Sequence, residues 1–420
     1  MAEQAAVSTE PAVPVQPERR LTTFSSLQHR DYRYLWLGQV GHSASLWMEQ
    51  IVRPVLILQL TDSALMVGLV VATRMTPMLL FGLLAGVAAD RFDRKRILLV
   101  TQWVTMSIHF LMAALVLADV IEPWHVFVTT FASGTSMAFN QPARQSLIPQ
   151  LVPREALLNA VALNTSAMNL MRILGPAIAG VLLLSGVGPV YLLNGAVLLG
   201  VMVSTNLMQV PYQPRPPEGE TSVLEDLRES FRFVARTPAV FAIIGPALIL
   251  FVFGMPYLSV FVPLFAKDVL DLGDSGVGAL VSAAGVGALI GSLTMASQTQ
   301  LRRRGLLLLI FLALFSGGLL LMSRSTMVPL SIIALMLTAS MSTSYMALTN
   351  GLLLELSPPE MHGRVMSLLS LDRGLVPLGA TIAGALAATL GPQDGLLVMA
   401  SVCLGLTLLA AVAAPALRRV

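Results

Sequence analysis

The sequence predicts an all-α membrane protein with twelve transmembrane helices in two six-helix halves. Of its 420 residues, 55% are hydrophobic and only 12% are charged, whereas an average soluble domain is about 25% charged. One crossing of a hydrocarbon core about 30 Å thick takes roughly 20 apolar residues, and twelve apolar runs of that size follow one another along the chain. A repeated segment then divides these runs into two halves.

The apolar runs set the order of the predicted helices. A lipid-spanning β-barrel would instead show segments of about 10 residues that alternate in polarity. The runs occupy residues 34–60, 64–88, 97–118, 124–145, 157–184, 187–208, 239–264, 275–296, 305–322, 327–354, 365–390 and 395–416.

Polar segments around the runs give the domain organisation. The first 33 residues are Pro-rich and have no apolar core, so they do not match a cleaved secretory signal, and we expect a disordered cytoplasmic tail. The 209–238 connection is Pro-rich and then carries an apolar stripe from Val223 to Val234, which predicts an amphipathic helix at the membrane surface. The predicted segments are a tail 1–33, an N-terminal half 34–208, a linker 209–238, a C-terminal half 239–416 and a C-terminus 417–420.

The two halves resemble each other in sequence. Residues 151–180 align with residues 356–384 through a Pro-x-Glu entry, an intramembrane arginine and a Gly-x4-Gly spacing. This repeat indicates duplication. Two halves related by an axis along the membrane normal, with a substrate site between them near the midplane, are a known transporter plan.

The basic residues predict the orientation. Of 26 Lys and Arg residues, four lie within apolar runs, two (Lys267 and Arg324) lie in connections on one side, and the other 20 lie on the second side. By the positive-inside rule the second side, here called the basic end, is cytoplasmic and holds both termini. The opposite side, here called the acidic end, carries Asp62, Asp119, Glu122, Asp268, Asp271, Asp274 and Asp394.

Several other classes of protein find little support. The single cysteine, Cys403, excludes a disulfide framework or a CxxC site, and neither Lys95 nor Lys267 lies in a GxxxxGK[ST] nucleotide loop. A net charge of +3 without a basic face gives no reason to expect nucleic acid. The five histidines lack metal-ligand spacing, so no enzyme is expected. A membrane sensor remains the non-transport alternative, although duplication favours alternating access.

The stretch "GVAADRFDRKRIL" between the second and third runs concentrates charge between apolar segments. It resembles the loop signature of the major facilitator superfamily, with Asp93 where most members have a second glycine. The segments "YRYLWLGQV", "FNQPARQSLIPQLVP" and "RILGPAIAG" are similar to the branch of enterobactin exporters and macrolide-type efflux proteins. The signature positions, which the resemblance implies act in conformational gating, are Gly86, Asp90, Arg91, Arg94 and Lys95.

The resemblance implies a proton-coupled exporter of small, siderophore-like or drug-like organic molecules in the inner membrane of a bacterium. It implies a monomer that needs no cofactor besides the proton gradient. In the fifth helix, Gly175, Pro176 and Gly180 match a Gly-Pro signature that would bend the helix and admit a neighbouring backbone. An importer or a lipid or metabolite transporter of the same fold is the alternative, and the charged loop could be a topology anchor instead of a latch.

Charged residues inside the predicted helices indicate the transport site, because intramembrane charges face a partner or a water-filled cavity. The bases outnumber the acids, so the substrate is expected to be anionic or neutral. The cavity candidates are Arg53, Arg74, Arg172, Arg373 and Asn140, and the acids, both candidates for proton coupling, are Glu49 and Asp372.

Glu49 is the first candidate for the proton carrier. It lies 12 residues before Thr61, about 18 Å from the acidic end of the first helix. Arg74 reaches a similar depth, and Arg53 lies one helical turn away on the same face. A carboxylate that pairs in one state and is exposed in another would load and release a proton. A permanent bridge that only fixes helix packing is the alternative.

The charge asymmetry gives a topology prediction. A reporter enzyme that is active only in the periplasm should give no signal when fused after Val420, because both termini are expected in the cytoplasm. The same reporter inserted after Asp119 should be active. Strong activity at the C-terminal fusion would contradict the twelve-helix topology.

Overall fold

The computed structural model describes residues 24–210, 238–298, 303–357 and 373–413. Within these residues the chain forms twelve helices that cross the molecule in alternating directions. They are α1 Arg30–Thr61, α2 Ala64–Arg91, α3 Arg94–Leu117, α4 Pro123–Leu151, α5 Arg154–Leu183, α6 Val187–Leu207, α7 238–269, α8 Gly273–Ser297, α9 Arg304–Ser323, α10 Val328–Leu356, α11 Val376–Leu390 and α12 Pro392–Ala413.

Helix α7 changes character along its length. It begins as an α-helix, Pro238–Ile249, and continues through the π-helical segments Leu250–Gly254, Tyr257–Phe261 and Phe265–Val269. Prolines interrupt the α-helical hydrogen bonding in this region, since proline has no backbone N–H and its ring clashes with the preceding turn. Isolated π turns are frequent at functional sites, and part of this segment lines the central cavity described below.

Most of the helices satisfy the requirement for membrane crossing. Among the described residues, nine helical segments are long and apolar enough to span a membrane, and α11 is a shorter apolar helix. Helices α1 and α4 are not in this group. Both have the length, but both carry buried polar side chains inside, including Glu49 in α1 and Asn140 in α4. The two most polar helices therefore belong to the same half.

Regular structure is present before residue 34, where the sequence predicted a disordered tail. Residues 24–33, which were expected to belong to the disordered tail, contain a 3₁₀ turn and the start of α1. Ser26 donates its hydroxyl to the Ala156 carbonyl at 3.0 Å, and the Tyr32 hydroxyl donates to the Ala160 carbonyl at 2.7 Å. The boundary at residue 33 was wrong because these polar side chains bind the backbone of α5. The predicted amphipathic helix in the linker lies outside the described residues.

The two halves meet along two pairs of helices. Helix α2 packs on α11, and α5 packs on α8. Because the second and eighth helices correspond in the repeat, as do the fifth and eleventh, the two contacts are equivalent under a two-fold relation between the halves. This arrangement agrees with the duplication inferred from the sequence.

Glycines bring the halves together near the acidic end. A Cβ on Gly278 of α8 would lie 2.4 Å from the Cα of Gly180 in α5, and a Cβ on Gly68 of α2 would lie 2.4 Å from the Ala380 carbonyl of α11. Such contacts allow backbones to approach closely, which drives helix association in a membrane. The acidic end of the interface is closed in this structure.

The contact at Gly278 can be tested by adding one methyl group. Gly278→Ala should lower the free energy of unfolding by about 1–3 kcal/mol, because the methyl group collides with the α5 backbone. In the control Gly317→Ala, a Cβ meets no atom within 4 Å, and stability should rise by up to about 1 kcal/mol from helix propensity. Thermal unfolding in detergent measures both. Equal effects would contradict a tight contact at Gly278.

Candidate functional site

A central cavity of about 350 Å³ lies between the two halves. Helices α1, α2, α4 and α5 form one wall, and α7, α10 and α11 contribute to the other. Its volume is within the range of small-molecule sites in proteins, roughly 300–1,000 Å³. Three guanidinium groups, those of Arg53, Arg74 and Arg172, lie in its lining. The rest of the lining includes the side chains of Met75, Met78, Met137, Met255 and Met346.

The carboxylate of Glu49 lies between two of these arginines. Glu49 Oε1 accepts hydrogen bonds from Arg53 Nε at 2.7 Å and from the Ser133 hydroxyl at 2.8 Å. Its other oxygen, Oε2, is 3.2 Å from Arg74 Nη2. The Glu49 residue is only 3% exposed and Arg53 only 1%. One buried acid thus joins α1, α2 and α4.

Arg53 is also held from the side of α4. Its Nη1 donates to the Thr130 hydroxyl at 2.7 Å and more weakly to the Thr129 hydroxyl at 3.3 Å. Both threonine hydroxyls in turn donate to backbone carbonyls within α4. A buried charge is costly unless it is paired and hydrogen-bonded, and these contacts meet that condition for Arg53. The cluster still carries two bases against one acid.

A second, smaller cavity lies on the other side of the Glu49 carboxylate, inside the N-terminal half. It has a volume of about 20 Å³, which is room for one water molecule. Its lining includes Glu49, Arg74, His42, Gln102 and Asn140. The predicted cavity residue Asn140 therefore lines this internal cavity, and the central cavity does not include it. Arg74 borders both cavities.

Arg172 of α5 is placed differently from the other two arginines. Its guanidinium lies over the indole ring of Trp47, with Cζ 5.4 Å from the ring centroid. Ion pairs and side-chain hydrogen bonds from Arg172 to other described residues are absent. Arg172 is thus a half-buried cation whose partner within the described chain is an aromatic ring.

Two of the predicted interior charges cannot be placed. Asp372 lies outside the described residues, and for Arg373 only the backbone, in the 3₁₀ turn Arg373–Leu375, is described. Among the described residues, Glu49 is the acid that meets the intramembrane arginines.

The charged loop joins α2 to α3 through Phe92 and Asp93 alone. Asp93, where the superfamily signature has a glycine, caps α3 by accepting the Lys95 backbone N–H at 2.9 Å. Arg94 Nη1 donates to the Ser146 carbonyl at 3.2 Å, and Lys95 Nζ donates to the Met208 carbonyl at 2.6 Å. These cations bind carbonyls near the ends of α4 and α6, where helix dipoles favour positive charge.

The remaining signature positions of the loop are Gly86, Asp90 and Arg91. The side chain of Asp90 is outside the description, although its backbone belongs to α2. Arg91 is exposed. A Cβ on Gly86 would meet no atom within 4 Å. The predicted latch between Asp90 and the other half therefore stays a prediction.

The Gly-Pro signature of α5 places two glycines in two different contacts. A Cβ on Gly175 would lie 2.8 Å from the Cβ of Trp47, so this glycine brings α5 against α1. Gly180 faces Gly278 across the interface between the halves, and the carbonyl of Pro176 lies beside the same contact. The signature thus fixes both an internal packing and an interface between the halves.

One buried charge was missed in the sequence. Arg144 was counted among the cytoplasmic connections, but it lies inside α4 and is only 4% exposed. Its Nε is 3.4 Å from Asn140 Oδ1, and its two terminal nitrogens have no hydrogen-bond partner among the described residues. Its position within the 124–145 run could have revealed it. No sequence signal marked the hydroxyls of Ser133 and Thr130 as ligands of the charge cluster.

Both bases of the acidic end are ion-paired. Lys267 Nζ is 2.6 Å from Asp62 Oδ1 and joins α7 to the loop between α1 and α2, so this pair links the two halves. Arg324 Nη1 is 3.2 Å from Asp394 Oδ1 within the C-terminal half. A further bond between the halves runs from Gln59 Nε2 to Asp274 Oδ2 at 2.6 Å.

Two six-helix halves enclosing a central cavity beside an ion-paired intramembrane acid define a transporter of the major facilitator superfamily, and the predicted fold class is confirmed. The family model described as "Transmembrane secretion effector" matches residues 21–419, so the chain belongs to this family. It is a multi-pass inner-membrane protein and a transporter, not an enzyme.

Two relatives at modest identity carry the name of an exporter. The chain is 28% identical over 375 residues, 87% of its length, to the enterobactin exporter EntS of Shigella boydii serotype 18 (strain CDC 3083-94 / BS512), 87% of which is covered. The same values hold for the enterobactin exporter EntS of Escherichia coli O157:H7 (strain EC4115 / EHEC).

Solved structures with this fold have much lower sequence identity. The nucleoside transporter NupG matches with a TM-score of 0.73 at 11% identity, over 92% of this chain and 98% of NupG. A bacterial homologue of the human lysosomal transporter Spinster, in an inward-facing and unoccupied conformation, matches with a TM-score of 0.71 at 15% identity, over 93% of this chain and 96% of the homologue. These similarities show the fold alone.

The ion pair between the halves gives a prediction about opening. In a Cys403→Ser background with a cysteine at Ser259 in the central cavity, Lys267→Gln should increase labelling by a membrane-impermeant thiol reagent added at the acidic end. The control Arg324→Gln removes an ion pair at the same end without uncoupling the halves and should leave labelling unchanged. Equal labelling of the two variants would contradict a role for Lys267 in closure.

The pH dependence of this contact follows from Asp62. The hydrogen bond from Lys267 holds the pKa of the Asp62 carboxyl below its usual value, which is about 3.9. A depressed pKa means that the pair is intact above the usual value and is lost only as pH falls through the lowered one. Labelling of the Lys267-containing protein, corrected for thiol reactivity, should therefore stay low and constant from pH about 5 to 8.

Proposed function

We propose that this protein is a proton-coupled exporter of small organic molecules, which moves substrate from the cytosol across the inner membrane. Export is supported by the relatives that carry the name enterobactin exporter. An anionic or neutral substrate is supported by the three guanidinium groups in the central cavity. A siderophore-like or drug-like molecule fits both observations.

The observation that carries the coupling proposal is the position of Glu49. Its carboxylate is held by Arg53 and Arg74 at the boundary between the central cavity and the small cavity of the N-terminal half. In this arrangement two cations stabilise the ionised carboxylate. If the halves rearrange so that the Glu49 carboxyl loses its contacts with both Arg74 and Arg53, the buried carboxyl is more stable when protonated. The exchange of arginine for a proton would couple conformational change to proton movement.

Protons suit this carboxylate better than a sodium ion. Both oxygens of Glu49 already accept hydrogen bonds from Arg53, Arg74 or Ser133. Hard cations need several oxygen ligands, and these hydrogen bonds already occupy both oxygens of the carboxylate. A proton can bind a single oxygen of the Glu49 carboxylate once the donor that is hydrogen-bonded to that oxygen has moved away.

The orientation of the cycle follows from the basic residues. If the basic end lies in the cytosol, closure at the acidic end by Asp62–Lys267 and Gly180–Gly278 separates the central cavity from the periplasm in this arrangement. The substrate would enter from the cytosol while Glu49 is ionised. Opening at the acidic end would then expose the cavity to the periplasm. In that state Glu49 would take up a proton.

Two further roles belong to the proposal. Asp90 would latch the basic end in the outward-facing state, while Arg94 and Lys95 hold the loop to its own half. Asp372 is the rival proton carrier. A permanent Glu49–Arg53–Arg74 bridge, with no role beyond packing, is the rival interpretation of the cluster.

Glu49→Gln in proteoliposomes tests the proposal. The variant keeps an oxygen that can accept hydrogen bonds from Arg53 and Ser133, so it should fold, but it cannot exchange a proton. A panel of siderophore-like carboxylates, catecholates and drug-like compounds is screened for accumulation driven by an imposed pH gradient. Accumulation should be lost in Glu49→Gln, and proton movement, followed with a trapped pH-sensitive dye, should fall with it.

The control is Glu155→Gln, which makes the same chemical change at an exposed position in the first turn of α5 and should transport normally. Removing one partner of a buried ion pair costs about 3–5 kcal/mol when the remaining charge is uncompensated. A Glu49→Gln protein that is much less stable and still coupled would therefore indicate a packing bridge. A stable variant that accumulates substrate on a proton gradient alone would show that Glu49 is not the carrier.

A further inference from the structure

The three arginines of the central cavity are not equivalent. Arg53 and Arg74 both contact the Glu49 carboxylate, and Arg53 also has hydroxyl partners in α4. Arg172 lacks any such partner among the described residues, and its guanidinium lies over the ring of Trp47. A guanidinium carries donors in a planar fork that matches a carboxylate, and it keeps them available when it stacks on an aromatic ring. Arg172 is therefore the one of these three cavity arginines that has no carboxylate partner among the described residues.

Contacts of the α5 backbone fix the position of Arg172 relative to α1 and α8. One helical turn farther along α5, Gly175 packs against the Cβ of Trp47, which brings the indole ring beneath the guanidinium. On the opposite face of α5, Gly285 of α8 lies against the Arg172 carbonyl, and the Ser282 hydroxyl donates to the neighbouring Ile173 carbonyl at 3.1 Å. Arg172 is thus held at the line where the two halves meet.

The side chains around Arg172 and Trp47 are apolar and can adopt different conformations. Five methionines line the same cavity, and methionine side chains adjust to different apolar shapes and make favourable contacts with aromatic rings. Trp47 contributes an aromatic surface beside the cation. A ligand matched to these groups has one anionic end and a flat or flexible apolar body.

We propose that Arg172 and Trp47 form the anion-binding subsite of the central cavity and recognise an organic carboxylate, or a comparable oxyanion, attached to an aromatic body. This inference rests on the proposed function and adds a division of roles. Arg53 and Arg74 serve the Glu49 carboxylate, whereas Arg172 serves the substrate. Because Arg172 lies on the line between the halves, ligand binding there would be sensitive to their relative position.

Binding of 1-naphthoate and 1-naphthamide to the full-length protein in lipid nanodiscs tests the subsite. The two probes share an aromatic body, but only naphthoate is charged. Equilibrium dialysis, with protein-free nanodiscs as the blank, should show naphthoate binding about tenfold to a hundredfold more tightly than naphthamide. This factor corresponds to a charge-assisted hydrogen-bonded contact.

Variants test whether the preference for naphthoate over naphthamide depends on Arg172. Arg172→Gln should abolish the preference for naphthoate, Arg172→Lys should keep part of it, and Trp47→Leu should weaken both probes. The matched control is Arg154→Gln, which removes an exposed positive charge from the same helix and should retain the full preference. Thermal unfolding of each variant verifies that it is folded. If Arg172→Gln does not fold, the test rests on Arg172→Lys. A preference for naphthoate as large in Arg172→Lys as in the unmodified protein would overturn a contact between the planar guanidinium fork and the carboxylate.

Several results would overturn the subsite. They are a preference that survives in Arg172→Gln, a preference that disappears equally in Arg154→Gln, tighter binding of 1-naphthylmethylammonium than of naphthoate, and no binding of either naphthyl probe. The binding assay contains no pH gradient. Failure of proton coupling in the Glu49→Gln experiment would therefore refute the proposed coupling while leaving a measured Arg172 preference intact, and the two failures are distinguishable.

Discussion

The contact between the Glu49 carboxylate and the guanidinium groups of Arg53 and Arg74 constrains the whole N-terminal half. Charges in the middle of a membrane pair with one another or face a cavity, and three helices meet where these three side chains pair. Ser133 and Thr130 of α4 complete the hydrogen bonding. Holding these charges requires polar side chains inside α1 and α4. These are the two long helices of this half that fall short of the apolar composition of a membrane span.

The two halves therefore have different chemical roles. The N-terminal half holds the described intramembrane charges, including the buried Arg144, whereas the walls contributed by α7, α10 and α11 are mostly apolar. The described interface between the halves combines glycine contacts, a few polar bonds at the acidic end and buried apolar side chains from both halves. A charged half that binds and an apolar half that moves against it fit the requirements of alternating access.

Much of the fold could be predicted from the sequence because hydropathy and charge act locally. The helix runs were right to within a few residues for most helices, since a bilayer sets their length. The errors arose where tertiary contacts override composition. Ser26 and Tyr32 are ordered by carbonyls of α5, and Arg144 was assigned to a connection because a charge near the end of an apolar run looks the same whether it is buried or solvated. Asn140, a cavity candidate, lines the small internal cavity of its own half.

The sequence by itself determined the twelve helices, the superfamily and the intramembrane positions of Glu49, Arg53, Arg74 and Arg172, because each of these depends on composition and spacing along the chain. Only the tertiary structure decided which charges meet. Glu49 lies four residues before Arg53, yet the third partner, Arg74, comes from another helix, and spacing alone could not exclude Arg172 from that role. The close approach of α5 to α1 at Gly175 placed Arg172 over Trp47 instead. Packing between helices is a long-range property, and for that reason spacing along one helix could not show which arginines share a contact.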